Sequence, residues 1–119
     1  MINILNSKVV KNNGKLEAKL IDGTCLSMPD NINSTDGENI LFGVRPEHLK
    51  MSENGRIKAL VKAIEPTGPE THIYCDVAGQ EVCFTSNERT FIKRGETVNL
   101  EPVVSYVHIF DSLSGKRIN

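Results

Sequence analysis

The chain has 119 residues, of which 39% are hydrophobic, 24% charged and 5% aromatic, with no tryptophan. That suffices for one hydrophobic core built from two small β lobes, and it is not the composition of a disordered chain. A formal net charge of −1, with Lys and Arg spread along the sequence, argues against a nucleic-acid backbone or an anionic membrane as partner.

The N-terminal Met1-Ile2-Asn3-Ile4-Leu5 lacks the basic and apolar regions of a signal peptide. No apolar run approaches the roughly 20 residues of a bilayer span, so a cytosolic location is expected. Turn residues then recur at the spacing of an all-β sandwich or barrel, at Asn12-Asn13-Gly14, Asp22-Gly23, Asn54-Gly55, Ala78-Gly79, Arg94-Gly95 and Ser114-Gly115. Between the first two, Leu16, Ala18 and Leu20 alternate with Lys15, Glu17 and Lys19, which predicts a strand over Lys15–Ile21. Pro29–Gly37 is polar and rich in breakers, the composition of a loop. A strand through Ile40-Leu41-Phe42 must end at Arg45-Pro46, because proline donates no ladder bond and holds its predecessor extended.

Arg56–Glu65 fits a helical face through Ile57, Leu60, Val61 and Ile64, and a strand face through Ile57, Ala59, Val61 and Ala63. Its first turn carries Arg56 and Lys58 where a helix favours acids, so a long strand ending at Pro66 is expected. Thr71–Val77 and Gln80–Thr85 flank a tight turn and give the strongest hairpin signal. Thr97–Pro102 and Tyr106–Phe110 complete a single domain over residues 1–119.

Three cysteines, Cys25, Cys75 and Cys83, without a C-x-x-C spacing exclude a zinc knuckle or disulfide framework and are expected to be reduced apolar fillers. A bridge between Cys75 and Cys83 across the Ala78-Gly79 turn is the one pairing the hairpin suggests, and a reducing cytosol disfavours it. Gly14-Lys15 and Gly115-Lys116 lack the upstream glycine and the following Ser or Thr of a phosphate-cradling loop. His48, His72 and His108, with Glu47, Glu70 and Asp111 nearby, show no metal-ligand spacing, and Cys75 with His72 is a poor nucleophile pair on a strand. The chain is therefore expected to be non-catalytic, with no cofactor and no metal of its own. The charged corner Arg45-Pro46-Glu47-His48 is the candidate site. Arg45 is expected there as a partly buried pin beside Glu65, Glu70 or Asp111.

Gly43-Val44-Arg45-Pro46-Glu47-His48-Leu49 resembles the G-[VI]-R-P-E-H-L signature of the C-terminal regulatory domain of maltose/glycerol-3-phosphate-type ABC importer ATPases. Four other stretches are similar to that family in order and spacing: Met1–Leu5, Gly68-Pro69-Glu70-Thr71-His72-Ile73-Tyr74, Arg94-Gly95-Glu96-Thr97-Val98, and the run from Val107-His108-Ile109-Phe110-Asp111 to Gly115-Lys116-Arg117-Ile118. The resemblance implies an OB-type β-barrel with short extra strands and little helix, often called a transport-associated OB (TOBE) domain. It implies an interface or structural corner at Arg45, Glu47, His48, Glu70, Thr71 and Asp111. The partners it implies are an ATPase domain, a second copy in a homodimer, permease subunits and a cytosolic signalling protein. ATP and magnesium would belong to that ATPase domain, and the location implied is the inner face of the cell membrane through the complex. The start at the family's domain junction suggests an excised piece. The alternative is an oxyanion-binding domain for molybdate or tungstate, for which Ser86-Asn87-Glu88-Arg89 is the nearest approach to the required motif.

Overall fold

The computed structural model describes residues 1–87 and 92–119. The described residues form ten strands in two five-stranded sheets. In chain order these are β1 (Asn3–Asn12), β2 (Lys15–Lys19), β3 (Cys25–Ser27), β4 (Asn39–Val44), β5 (Leu49–Met51), β6 (Ile57–Pro66), β7 (Thr71–Val77), β8 (Gln80–Ser86), β9 (Thr97–Pro102) and β10 (His108–Asp111). The first sheet runs β10-β4-β1-β2-β3 and the second, curled as a half-barrel, runs β5-β9-β6-β7-β8, with every pairing antiparallel. Single 3-10 turns cover Pro46–His48 and Val104–Tyr106. One core joins both sheets, with Leu5, Phe42 and Ile109 from the first and Ile57, Ile73, Phe84 and Leu100 from the second.

The expected hairpin is present, with Cys75 opposite Val82 and Val77 opposite Gln80. Its turn holds Ala78 at φ 51° and Gly79 at φ 82°, the left-handed pair that matches strand twist. Cys75 lies on the inner face of this hairpin, whereas Cys83, opposite Tyr74, faces the other way. Strand alternation therefore denies them a bridge, and all three cysteines are free. Burial, with a smaller contribution from Cys83, pushes the Cys75 thiol up to about 12, so it is an inert filler at neutral pH.

The long strand ending at Pro66 is also present, with one correction. A bulge between Val61 and Ala63 shifts the register against β7. Ile57, Ala59 and Val61 are buried, but Ala63, expected on the same face, is exposed. The extra residue explains why neither period fits the whole segment. Gly55, just before β6, is set against the backbone of Leu100, where a Cβ would stand 2.7 Å from the carbonyl carbon. The last expected strand starts later than Tyr106, because Val107 N donates to Val104 O and closes a 3-10 turn first. Pro29–Gly37 contains no strand and is tied down where Asn33 N donates to Ile118 O.

Strand β1 escapes a period-two reading of hydrophobicity because two of its inward positions are polar, Asn3 and Ser7. The first half of β1 pairs only with β4, and β2 joins from Lys8 onward. The groups left free meet β8 of the other sheet. Asn3 Nδ2 donates to Cys83 O at 2.8 Å, Cys83 N donates to Asn3 Oδ1 at 2.9 Å, and Asn6 N donates to Gln80 Oε1 at 2.9 Å.

Arg56 makes the second clasp between the sheets. It donates through Nη2 to Glu101 Oε2 at 2.8 Å and to Ser27 Oγ at 3.0 Å, and through Nη1 to the Cys25 carbonyl at 3.2 Å. Its backbone N–H also donates to Glu101 Oε1 at 3.1 Å. One planar side chain thus ties β3 of the first sheet to β9 of the second.

Asn3→Leu should cost about 2–4 kcal/mol, since two buried backbone groups of Cys83 lose their partners, and the urea midpoint should fall accordingly. Burial alone would raise the Glu101 carboxyl, but the Arg56 side chain and backbone N–H outweigh it and hold the group below its ordinary 4.5. Its contribution is therefore complete above the unfolded value and is lost as pH falls through the lower folded value. Glu101→Gln should flatten the stability curve below pH 4.5, read as urea midpoints against pH.

Candidate functional site

The corner begins where β4 leaves its sheet. Val44 is buried, Arg45 is extended at φ −74° and ψ 153°, and Pro46 is buried as the first residue of the 3-10 turn. Proline supplies the φ that turn needs and has no N–H to leave unpaired. His48 N donates to Arg45 O at 2.9 Å, and Val103 N donates to His48 O at 2.9 Å, so the turn is tied to the segment before β10. Leu49 then enters the core at 1% exposure.

The His48 ring stacks on Tyr106, with centroids 4.1 Å apart and planes 9° from parallel. Its Nδ1 is buried without a hydrogen-bond partner among the described residues. His108 lies on the neighbouring strand, opposite Gly43, and stacks on Phe110 with centroids 6.3 Å apart. Burial first, then the positive charge of Arg117, Arg45 and His48, holds the His108 imidazole below its usual range. The corner thus joins an aromatic stack to the exposed Arg45 guanidinium.

The structure corrects the expected role of Arg45. The side chain is exposed and makes no ion pair among the described residues. Alternation past Val44 sends it to the outer face of the first sheet, while Glu65 is on β6 of the second and Glu70 is in the turn before β7. Asp111 is opposite inward-facing Ile40 and spends its carboxylate on Ser114 N at 2.8 Å. The pin of this fold is Arg56. An arginine beside a turn glycine carries no sequence signal of this kind, because its partners Glu101, Cys25 and Ser27 are 29 to 45 positions away.

The six candidate residues fall in three places. Arg45, Glu47 and His48 share the corner, with Glu47 exposed. Asp111 closes the turn to Lys116, whose carbonyl accepts from Asp111 N at 2.8 Å. Glu70 closes the β6–β7 connection and Thr71 opens β7; Thr67 N donates to Glu70 O, and the Glu70 carboxylate lies 3.5 Å from His72 Nε2. Of the oxyanion candidate, Ser86 ends β8 and Asn87 follows it, whereas Glu88 and Arg89 lie outside the described residues. No group of His, Cys, Asp and Glu among the described residues is arranged to hold a metal ion. No helix among them is long and apolar enough to cross a membrane.

A half-barrel of five antiparallel strands with a second small sheet is an OB-type architecture. Among solved structures the chain is similar to the cytoplasmic molybdate-binding protein ModG in its molybdate-bound form, with a TM-score of 0.73 and 14% identity over 90% of this chain and 94% of that one. That likeness is one of fold. The TOBE domain model matches residues 42–110, and the chain belongs to that family. Its relatives are ATP-binding proteins of ABC transporters. It is 37% identical over 98% of its length to an uncharacterized ABC transporter ATP-binding protein of Sinorhizobium fredii, covering 31% of that protein. It is 29% identical to an sn-glycerol-3-phosphate import ATP-binding protein of Agrobacterium fabrum and 29% identical to the maltose/maltodextrin import ATP-binding protein of Vibrio cholerae. Those matches cover 85% and 82% of this chain, and 28% of each relative. The chain spans less than a third of the length of these relatives.

Because Arg45 is exposed and unpaired among the described residues, Arg45→Ala should change stability by under about 0.5 kcal/mol, against the larger loss from Asn3→Leu. Urea denaturation of both variants beside the parent checks the contrast.

Proposed function

We propose that this chain is the regulatory and dimerisation domain of the ATP-binding subunit of an ABC importer, for sugars or glycerol 3-phosphate, and is non-catalytic by itself. The observation that carries the reading is the TOBE match over 42–110, together with relatives whose names give ATP binding in glycerol 3-phosphate and maltodextrin import. In this reading ATP and magnesium are held by a separate ATPase domain, and the permease is engaged through it. The whole works at the cytoplasmic face of the membrane. A cytosolic signalling protein is a further partner of this reading.

The test combines two measurements on the 119-residue chain. Calorimetric titration with Mg-ATP should give no binding, and sedimentation over a hundredfold range of concentration should give a weak monomer–dimer equilibrium through a self-complementary patch. Micromolar nucleotide affinity, or a strict monomer at millimolar protein, would count against the reading. A thermal shift on adding molybdate would favour the oxyanion alternative instead.

A further inference from the structure

The outer face of the first sheet gathers cations that are scattered in sequence. Alternation places Ile4, Asn6 and Lys8 of β1, Lys15, Glu17 and Lys19 of β2, Leu41 and Gly43 of β4, and His108 and Phe110 of β10 on that side. Arg45 continues the β4 row, and Arg117 is bridged to Phe110 at the sheet's edge. Lys8 and Lys19 stand directly opposite each other across β1 and β2, an arrangement that costs stability when nothing neutralises it. Lys8, Lys19, Arg45 and Arg117 make no ion pair among the described residues. Glu17, the carboxylate on these strand positions, is already taken by Arg56 at 3.7 Å and by Asn12 Nδ2 at 3.0 Å.

Within this ring of charge lies an apolar strip. Ile2 and Ile4 are 36% and 37% exposed, and Leu41 and Phe110 are half-buried beside them. Gly43 keeps the strip flat: a Cβ there would stand 2.9 Å from the Phe110 ring and 3.1 Å from Ile2 Cδ1. Ile21, 84% exposed, borders a shallow depression shared with Asn6, Lys8, Lys19 and Asn39. An apolar centre with a charged rim is the anatomy of a protein interface.

We propose that this face docks an acidic protein surface with an apolar centre. Two copies of the face cannot satisfy each other, since a two-fold pairing would set cations against cations, so the site is separate from any dimer patch. A membrane is a poorer match because Ile2 and Ile4 at the centre of the strip are only 36% and 37% exposed and offer little apolar surface to insert. A nucleic acid is poorer too, because the chain carries a net charge of −1 with 5% aromatic residues, and the Phe110 ring already stacks on His108.

The test is amide-resolved NMR titration of the chain with a random glutamate–tyrosine copolymer, beside poly-glutamate of equal length, phosphatidylglycerol vesicles and a DNA duplex. The copolymer should shift amides of Ile4, Leu41, Gly43, His108 and Phe110 and bind tightest of the four. Joint Arg45→Glu and Lys19→Glu substitution should weaken it about tenfold or more, and Ile4→Ser should weaken it with the charge intact. Lys58→Glu with Lys62→Glu, exposed on β6 of the other sheet, should leave binding unchanged. Retained amide dispersion shows that each variant is folded. Equal binding of poly-glutamate, tighter binding of vesicles or DNA through these amides, or equal loss in the β6 variant would each overturn the proposal.

Discussion

Two small sheets become one molecule here through side chains that stand in for missing strands. The first half of β1 has β4 on one side and no strand on the other. β8 is likewise an edge of its own sheet. Buried edges of that kind would leave N–H and C=O groups unpaired, at a cost of a kilocalorie or more each. The Asn3 carboxamide offers a donor and an acceptor at the spacing of a peptide unit and satisfies both free groups of Cys83. Gln80 returns the contact by accepting from Asn6 N. The registers of β1 against β4 and of β8 against β7 are therefore fixed relative to one another, and the shared core is sealed between them.

Arg56 works by the same logic elsewhere, using guanidinium N–H groups to satisfy the free carbonyl of Cys25 on edge strand β3. Glu101 holds the guanidinium in place from the second sheet. With both clasps made, the outer face of the first sheet gives Arg56 the Glu17 carboxylate, and its β1, β4 and β10 rows are left to other work. That freedom allows Lys8, Lys19, Arg45 and Arg117 to remain without carboxylate partners among the described residues. It also turns the Arg45–His48 corner into an outward feature, with its aromatic stack held by the 3-10 turn.

Belonging to the TOBE family places the chain beside ATP-binding transport proteins, yet it covers under a third of those relatives. The TOBE match begins at Phe42, within β4. Residues before it still supply β1, β2 and β3, and β1 is the central strand of its sheet. Asn3, which completes β8, comes from this stretch as well.

Local chemistry made much of this legible in the sequence. The Ala78-Gly79 turn, the alternation in Thr71–Val77, and the stop at Arg45-Pro46 depend on φ preferences and on neighbours within a few residues, and each is found where those preferences put it. The family resemblance likewise rests on short ordered motifs. What only the tertiary structure decided are contacts between residues far apart in the chain. Asn3 meets Cys83 across 80 positions, and Arg56 meets Glu101 across 45, so neither a buried polar strand residue nor the true pin has a local signature. The bulge at Val61 and Ala63 reversed the exposure expected of Ala63, because strand parity is set by a partner strand and not by the segment itself. Charge follows the same rule. A net of −1 averages over the chain, whereas strand parity sorts cations onto one face, and only folding turns a composition into a field.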